Sequence, residues 1–87
     1  MSPTRRQKLT RAADLIRAAS NADSFDAEAV KHALRAMGAK IVDQHTNTYS
    51  VRLAGVTASS TYDKGEHLLV RWAANARVAL AEDPANG

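Results

Sequence analysis

Polar and apolar positions alternate along this chain with two different periods, and the change of period divides it into elements. From Ser2 to Ser20 the apolar residues Leu9, Ala12, Ala13, Ile16 and Ala19 recur at helical spacing, with Ser2 as N-cap and Pro3 at the first helical position. Arg6, Arg11 and Arg17 fall on the side away from Leu9 and Ile16, while Arg5 and Lys8 flank the apolar stripe. The stretch NADSFD reads as a loop, with Asp23 or Ser24 placed to accept the free N–H groups of the next helix and Phe25 set to pack back at its entrance. Val30, Ala33, Leu34 and Met37 then follow the i, i+3, i+4, i+7 pattern, and Gly38 stands where a left-handed C-terminal residue is expected.

The period next changes to two. Residues 41 to 62, IVDQHTNTYSVRLAGVTASSTY, are poor in charge and rich in hydroxyls. A strand from Lys40 to His45, a turn at Thr46-Asn47 and a strand from Thr48 to Leu53 predict a hairpin, and a second tight turn at Ala54-Gly55 returns a third strand from Val56. Pairing His45 with Thr48 sets Val42 against Val51, Gln44 against Tyr49 and Ile41 against Arg52; pairing Leu53 with Val56 sets Ala58 against Val51 and Ser60 against Tyr49. The expected inner face is Val42, Tyr49, Val51, Leu53, Val56 and Ala58. The expected outer face is Asp43, His45, Thr48, Ser50, Arg52, Thr57, Ser59 and Thr61, with Ile41 left on the wet side and Gln44 on the dry one.

A third helix opens at DKGE, where Asp63 and Glu66 have capping-box spacing. Leu68, Leu69, Trp72, Ala73, Ala76, Ala79 and Leu80 fall within about 140° on a helical wheel, which predicts a central core helix closed by Asp83-Pro84. The expected fold is α+β: an N-terminal helix followed by α-β-β-β-α, a three-stranded antiparallel meander with helices packed on one face. Residues 1–83 form one small domain in this reading, and residues 84–87 a tail.

Charge changes the picture. Residues 1–20 hold Arg5, Arg6, Lys8, Arg11 and Arg17 against Asp14 alone, a net of +4, whereas residues 21–87 hold seven basic and eight acidic groups, a net of −1. The net charge of +3 therefore belongs to the N-terminal helix, an electrostatic argument for an anionic partner, either a nucleic acid or an acidic protein surface. No cysteine is present, which excludes disulfides and thiolate metal sites, and three dispersed histidines give no metal-ligand spacing, so neither metal nor cofactor is expected. No apolar run approaches a membrane span and the basic start lacks the apolar block of a secretory signal, which together point to a cytoplasmic protein without membrane association.

Candidate chemistry is sparse. Asp43, His45 and Arg52 share one hairpin, where a histidine can act as general base and an arginine can hold a phosphate; the alternative is a diagonal Asp43–Arg52 charge pair with His45 beside a turn. The element order resembles that of double-stranded RNA-binding domains, although the start of the last helix, DKGEH, holds a single lysine, Lys64, where that family carries a basic cluster. In LRAMGAKIVDQHTNTYSV, Gly38 ending a helix and His45 in the following hairpin are similar to HicA-type mRNA interferase toxins, a resemblance that implies catalysis by His45; the Gly-Ser pair of that family is replaced by Asp43-Gln44. A helix-turn-helix DNA-binding plan requires a helix over DQHTNTYSVRLAG, where the period of two fits better. The expected function is that of a non-enzymatic binding or regulatory module, of the kind that phages and mobile elements use as accessory proteins, with Arg5, Arg6, Arg11, Arg17 and Arg52 as partner-binding residues.

Overall fold

The structure, a computed structural model, describes residues 2–44, 47–63 and 65–82. Helix α1 runs Pro3–Ser20 and α2 Ala27–Ala36; strands β1 (Lys40–Val42), β2 (Tyr49–Leu53) and β3 (Val56–Ser60) follow, and α3 (Glu66–Ala81) closes the order. The strands form one antiparallel sheet in the order β1-β2-β3. This is the α+β arrangement expected. Helix α3 lies against β2 and β3, α1 packs chiefly along α3, and α2 sits beside α1 and β1. His45, Thr46, Lys64, the Asp83-Pro84 stop and the tail at 84–87 lie outside the described residues.

The helix ends follow from identifiable side chains. Ser2 accepts the Arg5 N–H at 3.1 Å and Pro3 occupies the first turn of α1. The cap of α2 is Asp26, not Asp23 or Ser24: its carboxylate accepts the Ala29 N–H at 3.1 Å. That placement puts Phe25 and Val30 at the two positions of a hydrophobic staple, with Phe25 packed against the core that Val30 belongs to. At the other end Gly38 has φ +101°, and the Gly38 and Ala39 N–H groups return to the Arg35 and Leu34 carbonyls at 3.0 Å each, a complete Schellman closure.

Helix α3 departs from the capping box. Gly65 is its N-cap and offers no side chain, so Asp63 caps from two residues outside, accepting the Gly65 N–H at 2.8 Å and the His67 N–H at 2.9 Å. Ser60, buried at the end of β3, turns the chain into this cap by accepting the Tyr62 and Asp63 N–H groups at 3.3 and 3.1 Å.

One core lies between sheet and helices. Leu9, Ala12, Ala13 and Ile16 of α1, Val30 and Leu34 of α2, Val51, Leu53, Val56 and Ala58 of the sheet and Leu68, Leu69, Trp72, Ala73 and Ala76 of α3 are all buried in it. Trp72 is the largest of these and donates its indole N–H to the Val56 carbonyl at 2.9 Å. Arg71 and Asn75 donate to the Ser59 and Thr57 carbonyls at 3.0 and 3.2 Å, so α3 covers acceptors along β3, an edge strand.

The second hairpin has the expected register, Leu53↔Val56 through Tyr49↔Ser60. The first does not. Ile41 pairs with Val51 and Val42 with Ser50, one residue away from the Val42↔Val51 expectation. Because side chains alternate, this slip moves every residue of β1 to the other face. Ile41 packs against the core, Val42 is 46% exposed, and Asp43 turns inward.

Candidate functional site

The inward turn of Asp43 takes apart the hairpin constellation. Instead of meeting Arg52 across the outer face, its carboxylate accepts from Lys31 Nζ at 3.0 Å and lies 3.5 Å from an Arg35 guanidinium nitrogen. Lys31, on α2, has only 1% of its side chain exposed, and Asp43 12%. Lys31 also reaches Glu28 at 3.5 Å, though that side chain is 78% exposed and well hydrated. The Lys31 hydrogen bond, with the nearby positive charges of Lys31 and Arg35, holds the Asp43 carboxyl below its ordinary value against the opposing effect of burial. Asp43 and Arg52 are therefore not a diagonal pair, and Asp43 belongs to the structural support of α2 on β1.

The expected binding arginines separate into two groups. Arg5 is half-buried and donates Nε–H to the Ala54 carbonyl at 2.5 Å, tying the start of α1 to the turn between β2 and β3. Both turn residues are left-handed, Ala54 at φ +51° and Gly55 at φ +83°, as a two-residue hairpin turn with the twist of its strands requires. A Cβ on Gly55 would stand 2.9 Å from Arg5 Nη2, so the glycine also gives the guanidinium its place. Arg6, also half-buried, and exposed Arg11 line a concavity of about 560 Å³ with Gln7, Thr10 and Asp14. Arg17 is exposed at the far end of α1, about 18 Å along the axis from Arg5 at ~1.5 Å per residue, in a groove beside Ser20, Val70 and Arg77.

The sheet supplies the rest. Arg52 is exposed on the outer face of β2, as expected, and the observed register sets Lys40 directly opposite it in place of Ile41. Lys40 and Arg52 line a concavity of about 310 Å³ together with Gly38, Leu53, Ala54 and Gly55. Lys8 and Arg11 line a neighbouring groove of about 430 Å³ with Thr4, Gln7, Ala36 and Met37. Met37 and Gly38 are consecutive and Arg5 bonds the carbonyl of Ala54, so the two hollows share one corner of the molecule. Lys8 and Lys40 are the members that the sequence left unassigned: Lys8 read as a flank of the apolar stripe, and the slipped register hid Lys40.

This corner gathers Arg5, Lys8, Arg11, Lys40 and Arg52, and no carboxylate lines either hollow. Lys31 and Arg35, which meet Asp43, sit on its side of α2, away from these hollows. Among the described residues, no group of three or more histidines, cysteines or carboxylates could hold a metal ion, and no helix is long and apolar enough to cross a membrane. His32 and His67 are exposed, the latter with its ring 5.1 Å from that of Tyr62. Comparison with protein-family models, curated proteins and solved structures finds no match to this chain.

Proposed function

We propose that this chain is a non-enzymatic binding module that recognises a nucleic acid through the basic corner. The observation that carries the reading is the convergence of Lys8 and Arg11 on α1 with Lys40 and Arg52 on the sheet, around two hollows without a carboxylate. Cations spread along a helix serve as readily for solubility. Cations that two separate elements bring to adjoining hollows make a track for a polyanion, whose phosphates carry the affinity through release of bound counterions. Arg5 holds the two elements together by its bond to Ala54, which fixes the track's geometry.

Binding to single- and double-stranded DNA and RNA, measured across a salt series, tests this. Four phosphate contacts are expected to give a slope of log affinity on log salt of about −2.8 to −3.6, from roughly 0.7 to 0.9 per contact. Arg11→Glu combined with Arg52→Glu should abolish binding, while Arg17→Glu, at the far end of α1, should change it least. Absence of binding to all four nucleic acids at low salt would exclude this reading and leave an acidic protein surface as the partner. RNA should be recovered intact after incubation; cleavage that depends on His45 would replace the module by a ribonuclease.

A further inference from the structure

Resting on the binding-module reading, the geometry points to a subsite for a single phosphoryl group at the Lys40–Arg52 cross-strand pair, in the hollow closed by Gly38 and the Ala54-Gly55 turn. The two residues are Cα partners in an antiparallel register and both are exposed on the outer face, so their cationic heads extend on the same side of the sheet. Like charges directly opposite one another oppose strand pairing. Neither residue makes an ion pair among the described residues, and the remaining outer positions Val42, Ser50, Thr57 and Ser59 carry no charge to offset them.

The hollow beside them suits an anion. Gly38 contributes no side chain, and the space its Cβ would point into is empty to 4 Å. Behind the turn that lines this hollow, the Arg5 guanidinium lies against Gly55 with Nε held by the Ala54 carbonyl, a further positive charge at a set orientation. The division of labour follows from side-chain chemistry. The planar fork of Arg52 can meet two phosphoryl oxygens at once, and the compact ammonium of Lys40 acts as a point charge from the adjacent strand. An anion between them cancels the repulsion that the empty pair feels, so occupancy and stability are linked.

The test is thermal unfolding and amide NMR of wild type, Arg52→Thr and Lys40→Thr in low-salt chloride, then with inorganic phosphate or acetate at matched ionic strength. Threonine suits an exposed strand position, so both variants are expected to fold and to melt at or above wild type in chloride. Phosphate at ten to a hundred times its dissociation constant should raise the wild-type melting temperature by several degrees and shift the amides of Gly38, Lys40, Arg52 and Gly55, with neither effect in the variants. An equal response of wild type and variants, or acetate acting as strongly as phosphate, would overturn the subsite. The outcome is separable from the module reading: nucleic-acid binding without the phosphate response removes the subsite alone, and the phosphate response without nucleic-acid binding leaves the subsite standing and removes the module. Oligonucleotides with and without a 5′-phosphate tell the two sources apart, since only a terminal phosphomonoester makes the first bind more tightly.

Discussion

Replacing Trp72 by alanine will cost about 3 to 5 kcal/mol and leave the chain largely unfolded at room temperature. Trp72 is fully buried on α3, the helix that contacts both β2 and β3 on one side and α1 on the other. Its removal opens a cavity at the centre of a core that a chain of this size has little means of repacking. It also leaves the Val56 carbonyl without the indole donor at 2.9 Å. Trp72→Phe keeps an aromatic ring in the core while losing the donor and part of the indole volume, so it should cost less than alanine. Denaturant unfolding of both variants should show alanine far more destabilising than phenylalanine; a near-native midpoint for Trp72→Ala would mean that α3 does not organise the core.

The second large effect comes from Asp43. Asp43→Ala leaves the Lys31 ammonium, 1% exposed, facing only Glu28 at 3.5 Å. The expected loss is about 2 to 3 kcal/mol, below the ~3 to 5 of a fully sealed pair, because Asp43 sits at the rim and Glu28 remains. Lys31→Met, which takes away the buried charge itself, should cost less, since Asp43 keeps Arg35 at 3.5 Å. The pair also sets an acid limit. The folded-state pKa of Asp43 lies below its ordinary 3.8, so the unfolded chain takes up the proton first as pH falls. Its stabilisation is complete above the ordinary carboxylate range and disappears as pH drops through the lower, folded value. Wild type should therefore lose more stability than Asp43→Ala on acidification below about pH 4, measured by urea unfolding at a series of pH values.

The parts of this fold that were legible in the sequence are those where local chemistry and long-range packing agree. Ser2-Pro3 at the start of α1, Gly38 at the end of α2 and Ala54-Gly55 between β2 and β3 each demand one backbone conformation, and the structure has it. Wherever a turn left the register open, the reading slipped. A two-residue turn at Thr46-Asn47 predicts Val42 opposite Val51, whereas Val42 pairs with Ser50. The signal was present: the expected register put Ile41 in water and Gln44 inside, and both exceptions vanish when the pairing moves by one. That pairing turns Asp43 inward, a costly place for a carboxylate unless a buried cation such as Lys31 meets it.

Lys31 itself occupies a core-facing position, four residues after Ala27 and three before Leu34, but a helix lysine reads by default as solvated. The candidate site shows the same division. Arg11 and Arg52 were recognisable as exposed cations from periodicity alone. That they line adjoining hollows, with Arg5 tying α1 to the Ala54-Gly55 turn, is a product of tertiary packing, which no local pattern encodes.

The central claim is that helix and sheet form one binding surface, and amide chemical-shift mapping with a short single-stranded oligonucleotide at low salt tests it most directly. The account predicts perturbations at Lys8 and Arg11 on α1 that saturate at the same concentration as those at Gly38, Lys40, Arg52 and Gly55, with Arg17 and the Lys31–Asp43 region unmoved. Shifts confined to α1, spread along it as far as Arg17, or absent from the sheet at saturation would contradict it.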